Sequence, residues 1–357
     1  MALATFDPNA ITPANGRFFG FPYPVEAANV ILLPVPWDVT TSYTEGAAAG
    51  PQAILDASCQ LDWYDFAVPR AWEIGHGSLP ISAEILQKNQ HYRQLAKQII
   101  TALEQGADAN DTELQQLLAQ VNRGTAALNQ WVYEQVTPLL EQGKLIGLVG
   151  GDHSVPLGFL RALAAHHTRF GILQIDAHAD LRRAYEGFTD SHASIMYNAL
   201  QLNAVSHLVQ VGIRDVCEAE MTLAQQDLRI IQFTDPQLKA NAYEGMIWSV
   251  QTEQIVAKLP QQVYISFDID GLDPALCPHT GTPVPGGLDF NQALYLLESL
   301  VKAGKTIIGF DLCEVAPGQT GNWDGNVGAR LLYRLGNLMY ASHHNVTERQ
   351  DTPRFSA

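Results

Sequence analysis

Cations are scarce in this chain. Its 357 residues hold 21 Lys and Arg against 37 Asp and Glu, a formal net charge of −16 at pH 7, and charged residues make up only 16% of it, against about a quarter in ordinary globular proteins. A general basic surface that grips nucleic acid by displacing counterions is thereby excluded, and an anionic membrane surface is repelled for the same reason. No stretch approaches the roughly 18 apolar residues of a membrane-spanning helix. Cysteine is sparse as well: Cys59, Cys217, Cys277 and Cys313 form no C-x-x-C pair, which argues against both a thiolate zinc site and a disulfide framework. Residues 1–10 carry no basic region followed by an apolar run, so no secretory signal is expected and a reducing, cytoplasmic setting is.

Apolar material is plentiful at 46%, and 28 Gly and 19 Pro punctuate it without low-complexity bias. Short apolar runs recur at 30–36, 145–149, 170–175, 208–212, 230–233, 263–267 and 306–310. They alternate with longer helical patterns, the signature of a parallel sheet covered by helices. The expected fold is therefore α/β, a three-layer α/β/α sandwich with a central, mostly parallel sheet. One domain is expected over 26–340, after an N-terminal extension at 1–25 and before a flexible polar tail at 341–357. Within it, 124–141 presents Leu128, Trp131, Val132, Val136, Leu139 and Leu140 at helical spacing, with Pro138 expected to kink or split the helix. The Gln-rich, acidic stretch 82–111 has its own helical face at Leu95, Ile99, Ile100 and Leu103 and breaks at 106–112. The region near 82–123 reads as a peripheral helical insertion.

Four of the apolar runs end in chemistry. The run 145–149 leads into Gly150-Gly151-Asp152-His153-Ser154, and 170–175 leads into Asp176-Ala177-His178-Ala179-Asp180. The run 263–267 leads into Asp268-Ile269-Asp270-Gly271-Leu272-Asp273-Pro274, and 306–310 into Asp311-Leu312-Cys313-Glu314-Val315. Ligands of an open parallel sheet sit beyond the carboxyl ends of its strands. Alternation along an extended chain lets Asp176, His178 and Asp180 point one way, and Asp268 and Asp270 likewise. A single Asp after a strand is usually a turn former or a helix cap, and Asp152, Asp273 and Asp311 are assigned such supporting roles. His153, Asp176, His178, Asp180, Asp268 and Asp270 are different, because four carboxylates and two imidazoles cannot crowd together without cations among them.

Two divalent metal ions are the natural occupants. Carboxylates with a minority of imidazoles and no thiolate suit Mn2+ first and tolerate nickel (Ni2+), cobalt or zinc. A metal pair activates water for hydrolysis. Two such cations with a hydroxide leave the four carboxylates one negative charge in excess, and Glu314 adds another, which favours a cationic substrate. A phosphate ester would need cationic clamps, and only Arg182 and Arg183 lie near in sequence.

Together these segments resemble the ureohydrolase family of arginases and agmatinases. The likeness continues through Gly281-Thr282-Pro283-Val284-Pro285-Gly286-Gly287 and Asp311-Leu312-Cys313-Glu314-Val315-Ala316-Pro317 to Asn326-Val327-Gly328-Ala329-Arg330, covering most of 30–339. The resemblance implies an arginase-like fold in which one metal takes His153, Asp176, Asp180 and Asp268, and the other Asp176, His178, Asp268 and Asp270. It also implies that His192, in Ser191-His192-Ala193-Ser194, is the acid/base group and that Glu314 binds the guanidinium, with Asp180 counted beside them as catalytic. Both roles fit the chemistry, since a histidine titrating near neutrality can protonate the leaving nitrogen and a carboxylate can pair with the cation. Cys277 and Cys313 read as small buried thiols.

Substrate is the less determined point. The loop Leu181-Arg182-Arg183-Ala184-Tyr185-Glu186-Gly187 is similar to the agmatinase type, with Leu181 where an arginase needs an Asn. An agmatinase-like enzyme converting agmatine to putrescine and urea is the implied activity, with His192, Glu314, Tyr185 and Thr44 as substrate-binding residues. Thr44 and Glu45 depart from the family's usual Gly or Arg, and the insertion is similar to a subgroup that includes hydrolases of free guanidine, so guanidine stands as an alternative substrate. Guanidinobutyrate, arginine and formimino compounds follow. A two-metal phosphoesterase lacks its signature turn and an anion clamp, and a non-catalytic relative would have lost ligands. As relatives assemble, a homo-trimer or homo-hexamer is expected, while Arg330 and Arg334 read as an exposed helical face.

Overall fold

The computed structural model describes residues 7–344. Eight strands, β1 (Val30–Val35), β2 (His76–Ser78), β3 (Leu145–Gly150), β4 (Phe170–Ile175), β5 (Val205–Val211), β6 (Ile230–Phe233), β7 (Gln262–Asp268) and β8 (Thr306–Cys313), form one sheet in the order β2-β1-β3-β8-β7-β4-β5-β6. Every pairing among them is parallel. The longer strands are mostly apolar because both faces are covered: in β1, Val30 and Leu32 join one apolar cluster while Ile31, Leu33 and Val35 join the other. Helices α1 (Gly50–Ser58), α8 (Trp248–Val256), α9 (Phe290–Lys302) and α10 (Trp323–His344) supply the first cluster. The second is supplied by α2 (Ala83–Glu104), α3 (Thr112–Glu141), α4 (Leu157–His166) and α5 (Ile195–Ala199). Helices α6 (Glu218–Gln226) and α7 (Asp235–Tyr243) follow β5 and β6. The architecture is the expected three-layer α/β/α sandwich.

Several elements differ from the sequence reading. Strand β2 was not anticipated, being three residues long and without periodicity. Helix α3 starts at Thr112, twelve residues before the expected start, because Asp111 accepts from the amides of Glu113 and Leu114 and caps it. Gly124 is no helix start: a Cβ there would lie 2.7 Å from the Tyr92 ring, so the glycine lets α2 and α3 approach. Pro138 neither splits nor ends α3. It stands in the last turn, where few bonds remain to be lost, and Thr137 Oγ1 donates to Tyr133 O at 2.7 Å. The apolar faces of the 82–123 region are packed into the second cluster through Ile85, Ala96, Ile99, Ile100 and Val121.

Helix α10 continues past Tyr340 to His344, where the sequence reading had placed the tail. Ala341 is buried, Ser342 Oγ accepts from Ile307 N at 3.0 Å, and His343 Nε2 lies 2.9 Å from Ile307 O. The rest of the expected tail, 345–357, and the first six residues of the expected N-terminal extension lie outside the described residues. Arg334 is not on an exposed face. Its side chain is 13% exposed and pairs with Asp65 at 3.0 Å and Glu298 at 2.5 Å.

Candidate metal centre and active-site cleft

The four strand ends with shared chemistry are the four central strands of the sheet, β3, β8, β7 and β4. Since all are parallel, their carboxyl ends open on one edge. Registers Ile175↔Phe267 and Asp268↔Cys313 set Asp176 beside Asp268 and Glu314 one residue beyond it, and Val149↔Leu312 sets Gly151 beside Glu314, from which the turn carries His153 to the same edge. His153 Nδ1 lies 3.0 Å from Asp176 Oδ2, 2.9 Å from Asp180 Oδ2 and 3.4 Å from Asp268 Oδ2. His178 Nδ1 lies 3.1 Å from Asp270 Oδ2 and 3.6 Å from Asp176 Oδ1. Two groups able to hold a metal ion result among the described residues, His153 with Asp176 and Asp268, and Asp176 with His178 and Asp270. Asp176 is common to both.

The surroundings hold these groups in place. Asp176 accepts from Gln174 Nε2 at 2.8 Å and from His178 N at 2.7 Å, Asp270 accepts from Ala177 N at 3.0 Å, and Asp268 from Asp270 N at 2.9 Å. Ser266 Oγ donates to Asp311 Oδ2 at 2.9 Å and lies 2.8 Å from His153 Nε2. With its hydrogen spent on Asp311, Ser266 accepts from Nε2–H, which turns the lone pair of Nδ1 toward the three carboxylates. Nδ1 has no hydrogen-bond partner there. An Nδ1 facing three carboxylates suits a bound cation, and without one, against its burial, Asp176 and Asp180 raise this imidazole well above its ordinary value so that it keeps a proton.

The titration behaviour agrees. Burial and the neighbouring Asp176 carboxylate push Asp180 up to about 7, and burial with Asp270 and Asp176 pushes Asp268 well above the carboxylate range. Against its burial, His178 is held up at about 12 by Asp270 and Asp176. Without other cations, the cluster must retain protons to balance its charge.

Glu314 and His192 flank this centre. Glu314 is buried, its Oε1 accepts from His153 N at 2.8 Å, and its Oε2 has no hydrogen-bond partner. Burial and the nearby Asp152 raise its carboxyl well above the usual range. His192 lies in a cleft of about 150 Å³ that Ser42, His178, Asp180, Arg182, Tyr185, Asp215, Glu220 and Thr282 also line. Thr40 Oγ1 donates to Asp152 Oδ2 at 3.2 Å, accepts from His192 N at 3.1 Å, and lies 3.4 Å from His192 Nδ1. Ser191 Oγ lies 3.4 Å from the same Nδ1, so two hydroxyls hold that edge of the ring and Nε2 is left without a protein partner. Burial, with His178 and His153 close by, pushes this imidazole down to about 3.

Of the remaining sequence candidates, Tyr185 lines the cleft, its ring edge-on to His192 at 6.2 Å and under the Arg182 guanidinium at 4.7 Å. Thr44 does not line it: its amide is tied to Gly281 O at 3.3 Å and the residue is exposed, while Ser42 occupies the lining. Asp311 and Asp152 take the supporting roles described above, and Asp273 accepts from Ala275 N in a turn. Cys277 and Cys313 are buried thiols. The sequence reading missed Asp215, which follows β5 by the same strand-end logic that found the others, and Ser266, a lone serine inside a strand with no signal of its own.

Three comparisons bear on this site. The Arginase family model matches residues 28–336. N(1)-aminopropylagmatine ureohydrolase of Synechocystis sp. is 30% identical over 311 residues, covering 86% of this chain and 88% of that protein. Agmatinase of Shigella sonnei is 30% identical over 292 residues, covering 81% of this chain and 80% of that one. The crystal structure of agmatine ureohydrolase of Thermoplasma volcanium superposes with a TM-score of 0.68 at 24% identity, covering 90% of this chain and 93% of that chain, which shows the shared fold.

Proposed function

The chain belongs to the Arginase family as an agmatinase-like ureohydrolase, and from that premise we propose that its cleft hydrolyses the guanidinium C–N bond of a small cationic guanidino compound, agmatine first, releasing urea. The observation that carries this reading is the buried Glu314 Oε2, left without a partner beside the cluster of His153, Asp176, His178, Asp180, Asp268 and Asp270. A buried carboxylate oxygen of that kind calls for a cation with N–H donors.

In this reading, His153, Asp176, Asp180 and Asp268 would hold one divalent metal, and Asp176, His178, Asp268 and Asp270 the other, with Mn2+ preferred over Ni2+ by the oxygen-rich donor set. When bound, the pair supplies a water acidified to near-neutral pKa and the positive charge that stabilises a tetrahedral carbon. Glu314 holds the guanidinium and orients its carbon toward the centre. His192, fixed by Thr40, takes a proton on Nε2 and delivers it to the leaving amine, which cannot depart as an amide anion. Tyr185 and Arg182 border the way in.

At the cleft's outer side Asp215 is an exposed carboxylate, while Arg182 is committed to the Tyr185 ring and lies 3.7 Å from Glu220. This balance favours a substrate whose far end is an amine over one ending in a carboxylate. Free guanidine is the second reading, favoured by the cleft's small volume. Urea release from agmatine, aminopropylagmatine, guanidinobutyrate, arginine and free guanidine separates the two. Agmatine or aminopropylagmatine turned over with the highest kcat/KM supports the first, guanidine alone the second, and urea from none of them contradicts both.

A further inference from the structure

We propose that Arg93 of helix α2 is a positioning residue for the cleft, holding the loop 38–46 so that Thr40 sets His192. The Arg93 side chain is 11% exposed. Its Nη1 donates to Val39 O at 2.9 Å and Thr41 O at 2.6 Å, and its Nε donates to Glu45 Oε2 at 3.3 Å. The two carbonyls flank Thr40, whose hydroxyl joins His192 N to Asp152. One guanidinium therefore holds the loop on both sides of Thr40.

Arg93 does not act alone on its helix. Asn89, Arg93 and Lys97 follow at intervals of four and share one face. Asn89 Oδ1 accepts from Asp38 N at 2.7 Å and its Nδ2 donates to Asp38 Oδ1 at 3.0 Å, while Lys97 Nζ meets Glu45 Oε2 at 2.6 Å. Ile85, Ala96, Ile99 and Ile100 lie on the same buried side of α2 and dock it on the apolar cluster. Asn89 and Arg93 are buried among these apolar side chains, where their polar atoms go to the loop. The helix comes from the insertion near 82–123, which gives that insertion a task at the active site.

The inference rests on the proposed hydrolysis, and its test separates the two. The Mn2+-reconstituted chain and its Arg93→Met and Arg93→Lys variants are compared in bound metal per chain, hydrogen exchange of the 38–46 amides, and kcat and KM on whichever guanidino compound the parent turns over. Arg93→Met is expected to bind metal like the parent, exchange these amides faster and lose about tenfold or more in kcat, as small misplacements of reacting groups do. Arg93→Lys recovers part of both. Parental kcat in an Arg93→Met chain whose loop exchanges faster overturns the proposal, as does a loss confined to thermal stability. If Arg93→Met does not fold, Arg93→Lys decides, with parental kcat and parental exchange as the overturning result. A parent that binds metal and releases urea from no compound contradicts the hydrolysis reading, while the exchange arm still reads the grip on the loop.

Discussion

Asp180 and Glu314 hold left-handed backbone conformations, φ 54° and 64°, which cost a non-glycine residue about 1–2 kcal/mol. Both are carboxylates of the candidate site, where such strain serves to aim a side chain. Glu314→Gln keeps an acceptor for His153 N but removes the negative charge. On the proposed function it lowers kcat/KM by about 10- to 100-fold, the value of a charged hydrogen bond of about 1.5–3 kcal/mol, and steady-state urea release with metal content checked in parallel reads it. Ser266→Ala breaks the link from His153 to Asp311 and is expected to weaken metal binding by about 10- to 100-fold, measured by calorimetric titration. The six ligand candidates were legible because a parallel sheet delivers its strand ends to one edge. The downward shift of His192 was not, since it arises from burial and from residues remote in sequence, and Arg93 was hidden as one polar residue on an amphipathic helix.

Among the elements, the seven longer strands were legible from apolar runs bounded by Gly, Pro and Asp, whereas β2 carries too few residues for any pattern. Helix boundaries were read less well because a cap such as Asp111 and a close-approach glycine such as Gly124 have meaning only beside their neighbours. Gly151, between β3 and His153, is another: a Cβ there would lie 1.8 Å from Trp37 O. Gly151→Ala must push the loop after β3 away from the loop after β1, so it is expected to reduce bound metal and urea release together, and full metal content would contradict this. On β2, His76 is buried against Phe19, Phe21 and Tyr333, both ring nitrogens lack hydrogen-bond partners, and burial pushes it down to about 3. Below pH 6.5, its ordinary value, the unfolded chain takes up a proton that the folded chain refuses. Stability is then lost by up to about 1.4 kcal/mol per pH unit until near the folded value. His76→Leu should flatten that slope when denaturant unfolding is compared at pH 7 and pH 5, and an unchanged slope would contradict the assignment.

For the whole molecule, the layer architecture followed from the alternation of strands and helical patterns, and among the described residues no helix is long and apolar enough to cross a membrane. The convergence of four central strand ends also ties stability to the site. Burying four carboxylates with two imidazoles is unfavourable until cations enter, so metal binding should raise stability by about 2.7 kcal/mol at a hundredfold excess over Kd. Chelation is expected to lower the thermal midpoint, and re-addition of Mn2+ to restore it. The most direct test of the account is urea release from agmatine by chelator-stripped chain titrated with Mn2+, followed against metal bound per chain. The account predicts no urea from the stripped chain and a maximal rate at two ions per chain. Undiminished urea release without metal would contradict it.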